Sequence, residues 1–297
     1  MTATEHNWPS GFVSPKQVRA YWDREARIGR GVIAVGHDGV CGTRWRHGPF
    51  FFEKYTTDEE PAVAPDGPWR YVIWQPLTLT ESPRGWRRSR LGIGFRGGGV
   101  FELHGGDWEA RWAPSARRQL KKWRGLADEG WRIERCDATT FCRALARGQM
   151  RPDLKAGFAK VVAEKDAAHP GLLRCYLAVA PGGEPTAGLA VLDVPEVKVS
   201  IHLAAFTAKA ARGTPAGVGL MAAWFTDSAA EGFAWLDLGN FWRPGEPRDW
   251  RGFSRFKAQF ITQPLDFPRP FTRFAGSWRG TLSALRHKQS RESSSRP

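Results

Sequence analysis

The chain has 297 residues, 41% hydrophobic and 25% charged, which is enough apolar content for one large or two modest cores and too much for a disordered chain. Forty-four Lys and Arg against 30 Asp and Glu leave a formal net charge of +14. Such a field draws polyanions (nucleic acid, nucleotide phosphates, anionic cell-wall precursors, a membrane surface), or it serves solubility alone. The cysteines and histidines show no zinc spacing, so no metal site is expected, and free thiols suit a reducing cytosol.

Residues 1–10 are polar and lack a basic start followed by an apolar run, and no apolar run approaches the roughly 20 residues of a spanning helix. A cytoplasmic protein with no transmembrane segment is expected, with peripheral membrane contact still open. Residues 1–30 read as a helical lead-in, with Ser14-Pro15 starting a helix through Val18, Tyr21 and Trp22. Residues 31–104 read as β-rich. Val32 to Val35 is a short apolar run followed by the turn His37-Asp38-Gly39, and Trp69 to Leu79 is the best strand. Arg84 to Arg96 carries five arginines and no acid, as an exposed loop or edge strand does. Gly97-Gly98-Gly99 then reads as a loop or bulge.

Pro114 to Glu129 predicts a helix, with Pro114 at its start and Gly130 at its end. Leu120, Trp123 and Ala127 form its apolar stripe, and Arg117, Arg118, Lys121 and Lys122 its cationic face. Asp137 to Arg147, capped by Asp137, and Pro152 to Ala168 are two further helices. Leu172 to Val179, Pro185 to Leu192 and Val197 to Phe206 make an antiparallel meander. A helix from about Pro215 to Glu231 and the strand Phe233 to Leu238 follow. The order predicts an α/β protein whose mixed sheet contains a crossover. Residues 281–297 read as a basic, disordered tail.

Three segments carry a resemblance. Ser115 to Ile133 looks like a basic helix followed by Gly and a strand. Gly232 to Gly239 has the form Gly-x-x-x-x-Asp-x-Gly. Gly252 to Phe260 contains Phe256-Lys257-x-x-Phe260, with Ile261 where a glycine usually follows. In this order they resemble the Fem-like branch of the GNAT acyltransferase superfamily, which includes the peptidoglycan-bridge aminoacyltransferases. The resemblance implies a complete GNAT-like domain over residues 106–280 and a smaller β-rich domain, a reduced first GNAT copy, over residues 1–105. It also implies an N-acyltransferase, with no required cofactor, that moves an acyl or aminoacyl group from an activated ester or thioester to an amine. The donor would be aminoacyl-tRNA. The acceptor would be an anionic nucleotide-sugar or lipid-linked precursor.

The resemblance nominates Lys257 for stabilising charge during transfer and Phe256 for contact with the RNA end. The alternative for Lys257 is an exposed lysine on a strand between core phenylalanines. Asp237 could accept or orient the amine proton, or it could cap a turn before Gly239-Asn240. Arg117, Arg118, Lys121 and Lys122 could grip phosphates or form a solvated helix face. Thr214, Gly217 and Gly219 occupy the segment that binds pyrophosphate in acetyl-CoA-dependent GNAT enzymes, with Thr214 where Arg or Gln is expected. An acetyl-CoA-dependent acetyltransferase is therefore one alternative, and a non-catalytic nucleic-acid-binding protein on a GNAT scaffold is another. Trp250 is expected near the cleft, and His202 is expected to be a packed core histidine.

Overall fold

The computed structural model describes residues 9–28, 33–37, 40–47, 50–63, 65, 67–78, 81–89, 96–103, 106–244, 248 and 251–277. The anticipated turn at Asp38-Gly39, Trp250 and the tail over 281–297 lie outside them. Among the described residues, the first elements are α1 (Arg19–Ile28), β1 (Ile33–His37), β2 (Val40–His47), β3 (Phe50–Thr56), β4 (Arg70–Gln75), β5 (Arg87–Arg88) and β6 (Gly97–Glu102). Then come α2 (Pro114–Asp128), β7 (Arg132–Cys136), α3 (Ala138–Leu145), α4 (Pro152–Ala168), β8 (Leu173–Val179), β9 (Pro185–Val194) and β10 (Val199–Thr207). Last are α5 (Ala216–Ala230), β11 (Trp235–Phe241), α6 (Arg251–Lys257), β12 (Gln263–Asp266) and β13 (Phe271–Ala275).

The chain divides into two compact units, one of Met1–Pro15 with Gly97–Asp266, the other of Lys16–Arg96 with Phe267–Pro297. The border expected after residue 105 moves in both directions. Strand β6 pairs with β11 and β12 and so belongs to the larger unit. Strand β13 pairs with β4 and β5 and so belongs to the smaller one.

In the larger unit the strand order is β12-β6-β11-β10-β9-β8-β7. β8, β9 and β10 form the antiparallel meander, and β11 returns parallel to β10 through α5. Helices cover both faces. Leu120 and Trp123 of α2 share a core with Trp224 and Phe225 of α5, while Phe141 and Leu145 of α3 pack with Val162 of α4 on the other side. The anticipated α2 stripe needs correction: Ala116, Leu120 and Trp123 are the buried positions, and Ala127 is exposed. Asp137 caps α3 by accepting a hydrogen bond from the Thr140 amide at 2.6 Å.

The glycine run at 97–99 is strand rather than loop, and fully buried. A Cβ at Gly99 would stand 2.8 Å from the Ile261 side chain and 2.9 Å from the Phe241 ring, so only a bare backbone fits there. The C-terminal half of α5 is pinned by a buried polar network. Arg174 pairs with Asp193 at 2.6 Å and donates to Ser228 at 2.8 Å, and the Trp224 indole donates to Ser200 at 2.8 Å.

In the smaller unit the order is β1-β2-β3-β4-β13-β5. Tyr55, Val72, Trp74, Trp86 and Phe271 form its buried core.

Candidate functional site

Strands β10 and β11 pair over only three residues, Val199–Ile201 against Trp235–Asp237. Beyond them each strand is interrupted. β10 carries an extra residue between His202 and Ala204, and β11 one between Asp237 and Asn240. A bulge bends its strand and raises local twist, so two bulges at one level prise the neighbours apart. On β11 the kink is fixed from within, since the Asp237 carboxylate accepts a hydrogen bond from the Gly239 amide at 2.7 Å. Gly239 has φ +72°, in the left-handed region where glycine carries no Cβ penalty.

A pocket of about 460 Å³ opens beside β10. It is lined by His202, Ala205, Phe206 and Thr207 from β10, Gly217, Leu220 and Met221 from α5, and Phe253 and Phe256 from α6. Gly188, Leu189, Gln149 and Met150 complete it. None of these described lining residues is an acid, lysine or arginine. Burial pushes the His202 imidazole well below its usual range, and the nearby Lys257 charge adds to this, so it is neutral at physiological pH.

Lys257 is the last residue of α6, not part of a strand, and it is buried. Its Nζ donates to the carbonyl of Leu238, inside the β11 bulge, at 2.5 Å. The same nitrogen lies 5.4 Å from the centre of the Phe253 ring. Desolvation brings its pKa down to about 8, although the Asp237 charge opposes the fall. The ammonium therefore sits behind the pocket wall made by His202 and Phe253, with one proton committed to Leu238 and two left.

The remaining candidates separate. Asp237 is not the end of its strand. It is the last residue paired with β10, and its carboxylate caps the bulge as a turn-capping Asp would. Phe256 lines the pocket and meets Phe260 edge-on at 5.0 Å. Gly217 also lines the pocket, in the first turn of α5. Gly219 does not, because a Cβ there would stand 2.3 Å from the Trp123 indole, which makes it a helix-crossing residue. The Thr214 hydroxyl donates to the Ala211 carbonyl at 2.8 Å, within its own turn. Arg117, Arg118, Lys121 and Lys122 are exposed on α2 and none lines the pocket. His202, read from sequence as a core histidine, is the pocket's titratable group. Its signal was hidden because the bulge that turns it into the opening has no local sequence mark.

No protein-family model matches the chain, and no curated protein is similar to it in sequence. Solved structures do resemble it. FemX superposes with a TM-score of 0.62 at 9% identity, over 92% of this chain and 96% of its own. A tandem GNAT protein from the clavulanic acid biosynthesis pathway gives 0.50 at 12% identity, over 86% and 87%. A conserved protein of unknown function from Bacteroides thetaiotaomicron gives 0.50 at 10%, over 85% and 88%. No described helix is long and apolar enough to cross a membrane. The meander and the crossover helix, with these superpositions, show that the chain has a fold like that of FemX and of the tandem GNAT protein.

Proposed function

We propose that the chain is an N-acyltransferase whose activated acyl group enters the opening between β10 and β11. The observation that carries this is the early end of the β10–β11 ladder, with a pocket lined from the freed part of β10 and the first turn of α5. The acceptor amine attacks the acyl carbon. A C–N bond forms, the carbonyl π electrons move to oxygen, and collapse expels the alkoxide of an ester or the thiolate of a thioester. The amine proton passes to neutral His202, the lining group able to take it. Lys257, whose charge already acts on His202, supplies the positive potential that favours the oxyanion. Asp237 is a positioning residue here, holding the bulge whose Leu238 carbonyl accepts the Lys257 hydrogen bond.

The donor is an aminoacyl ester such as aminoacyl-tRNA, or acetyl-CoA. The closed Thr214 turn favours the former, because the hydroxyl at the pyrophosphate segment is already used. An anionic acceptor, such as a nucleotide-sugar or lipid-linked precursor, suits the net charge of +14.

The test is product mass spectrometry on the full chain, with aminoacyl-tRNA or acetyl-CoA and a panel of amines. We expect an acylated amine from one donor class, and turnover reduced about 100- to 1,000-fold in Lys257→Ala with donor affinity changed far less. No product from either donor class, or unchanged turnover in a folded variant, refutes the assignment.

A further inference from the structure

The pocket beside β10 is far larger than the smallest acyl groups need. A cavity of about 150 Å³ already takes a benzene ring, and this one measures about 460 Å³. A group no larger than acetyl would leave most of it to water. The size follows from the lost strand pairing. Because β10 has no β11 beside it here, the lining comes from both faces of the sheet. Leu189 and Leu220 belong to the core on the α2–α5 side, and Phe206 and Met150 to the one on the α3–α4 side. Part of the wall is a direct cross-strand pair, Phe206 opposite Gly188. A Cβ at Gly188 would stand 2.3 Å from the Phe206 ring, so the ring fills the space that a side chain would take. The Gln149 amide donates to the Thr207 carbonyl at 3.1 Å, which ties the loop before α4 to the end of β10.

The chemistry of the lining is one-sided. Its large side chains are apolar, among them Met150, Leu189, Phe206, Leu220, Met221 and Phe253. Its described polar side chains are Gln149, His202 and Thr207, and none of these carries a charge at neutral pH. A cationic chain entering here would find no carboxylate among the described lining residues and would meet the field of the Lys257 ammonium behind the wall. An anionic chain would lose its water with no lysine or arginine in that lining to replace it, since Lys257 stands outside it. Burying an unpaired charge is costly, whereas apolar chains gain by leaving water. Met150 and Met221 are flexible thioethers that adapt to chains of different shape. Ala205, directly opposite Leu189, contributes only a methyl group to the lining and is itself exposed. A longer side chain at that position would occupy the opening without entering the core.

From this, and resting on the acyl-transfer reading of the same site, we infer that the transferred acyl group bears a large, uncharged, apolar chain, aliphatic or aromatic, of about leucyl to phenylalanyl size. Ala205 is then a specificity-determining position, because its small side chain leaves the length of the pocket open. The chain rides through the reaction unchanged. The C–N bond forms and the ester or thioester bond breaks at the carbonyl carbon, outside the apolar part of the group.

The experiment compares kcat/KM within each donor class on the full chain, with the same panel of amines. Phenylalanyl-, alanyl- and lysyl-tRNA form one class, and hexanoyl- and acetyl-coenzyme A the other. In the class that reacts, the phenylalanyl or hexanoyl donor should exceed the alanyl or acetyl donor by at least about 10-fold, the lower value for a single methylene in an apolar pocket. The lysyl donor should fall below the phenylalanyl donor by at least as much. Ala205→Leu should cut the large-to-small ratio at least about 10-fold. Its urea midpoint should match the parent's, since the position is exposed. Small or charged groups transferred as fast as large apolar ones, or an unchanged ratio in the folded variant, overturn the inference and leave acyl transfer standing. No product from any of the donors removes the acyl-transfer reading, and the inference falls with it.

Discussion

Replacing Lys257 by Met probes the buried ammonium directly. The lysine falls from 10.5 to about 8 on folding, chiefly through desolvation. Its folded pKa lies below its unfolded one, so the unfolded chain holds more protons between those values and stability must rise with pH across that window. The full difference corresponds to about 3 kcal/mol, and about 2.5 kcal/mol of it should appear between about pH 7 and pH 10. Met keeps the length of the side chain but neither charge nor donor, leaving the Leu238 carbonyl unpaired at a cost of about 1–3 kcal/mol. Near neutral pH the two effects roughly cancel and the variant should match the parent. By about pH 10 the parent has shed its burden and the variant should be the weaker by about 1–3 kcal/mol. Urea unfolding in a pH series measures this. Lys54, also lowered to about 8, titrates in both proteins and drops out of the difference. Parallel stability curves for parent and variant would refute the picture of a charged amine buried behind the pocket.

Two glycines in one helix turn should respond in opposite ways. In Gly219→Ala the new methyl meets the Trp123 indole at 2.3 Å, so overpacking of about 1–3 kcal/mol should exceed the gain of roughly 1 kcal/mol in helix propensity and lower the urea midpoint. Gly217→Ala meets only the Phe256 ring edge at 3.3 Å, so the midpoint should hold or rise while donor affinity, read by calorimetry, falls. Asp193→Asn should cost about 3 kcal/mol by leaving the buried Arg174 under-compensated, and a loss below about 1 kcal/mol would mean that Glu231, 3.4 Å away, takes over the pairing.

Local punctuation made the second half legible. Pro152 starts α4 where an N-terminal proline should, and the anticipated span coincides with the observed helix. Alternation and the turn after Ala180 set out the meander. Reading failed where a residue's meaning comes from a distant partner. Gly97 and Gly99 look like a loop until Phe241, Arg243 and Ile261 arrive to exclude any side chain. Lys257 could be taken for a strand residue, because the helix that carries it is only seven residues long, Arg251–Lys257, too short to show a period. The site was half visible. Of the residues the motifs nominate, Phe256 and Gly217 line the pocket, and Lys257 does not line it but lies 5.4 Å from the ring of Phe253, which does. The cationic face of α2 was named on charge and stands apart from it. His202 was missed because a bulge is a property of strand pairing and not of composition.

The position of β13 has a consequence for biosynthesis. It fills the slot between β4 and β5, yet it emerges from the ribosome about 180 residues after β5. At about 5–20 residues per second, those two strands wait roughly 10 to 35 seconds for the partner that separates them. The larger unit, uninterrupted from Gly97 to Asp266, has every one of its strands by then. A chain stopped short of Phe271 would therefore leave an intact late-born half and a damaged early-born one.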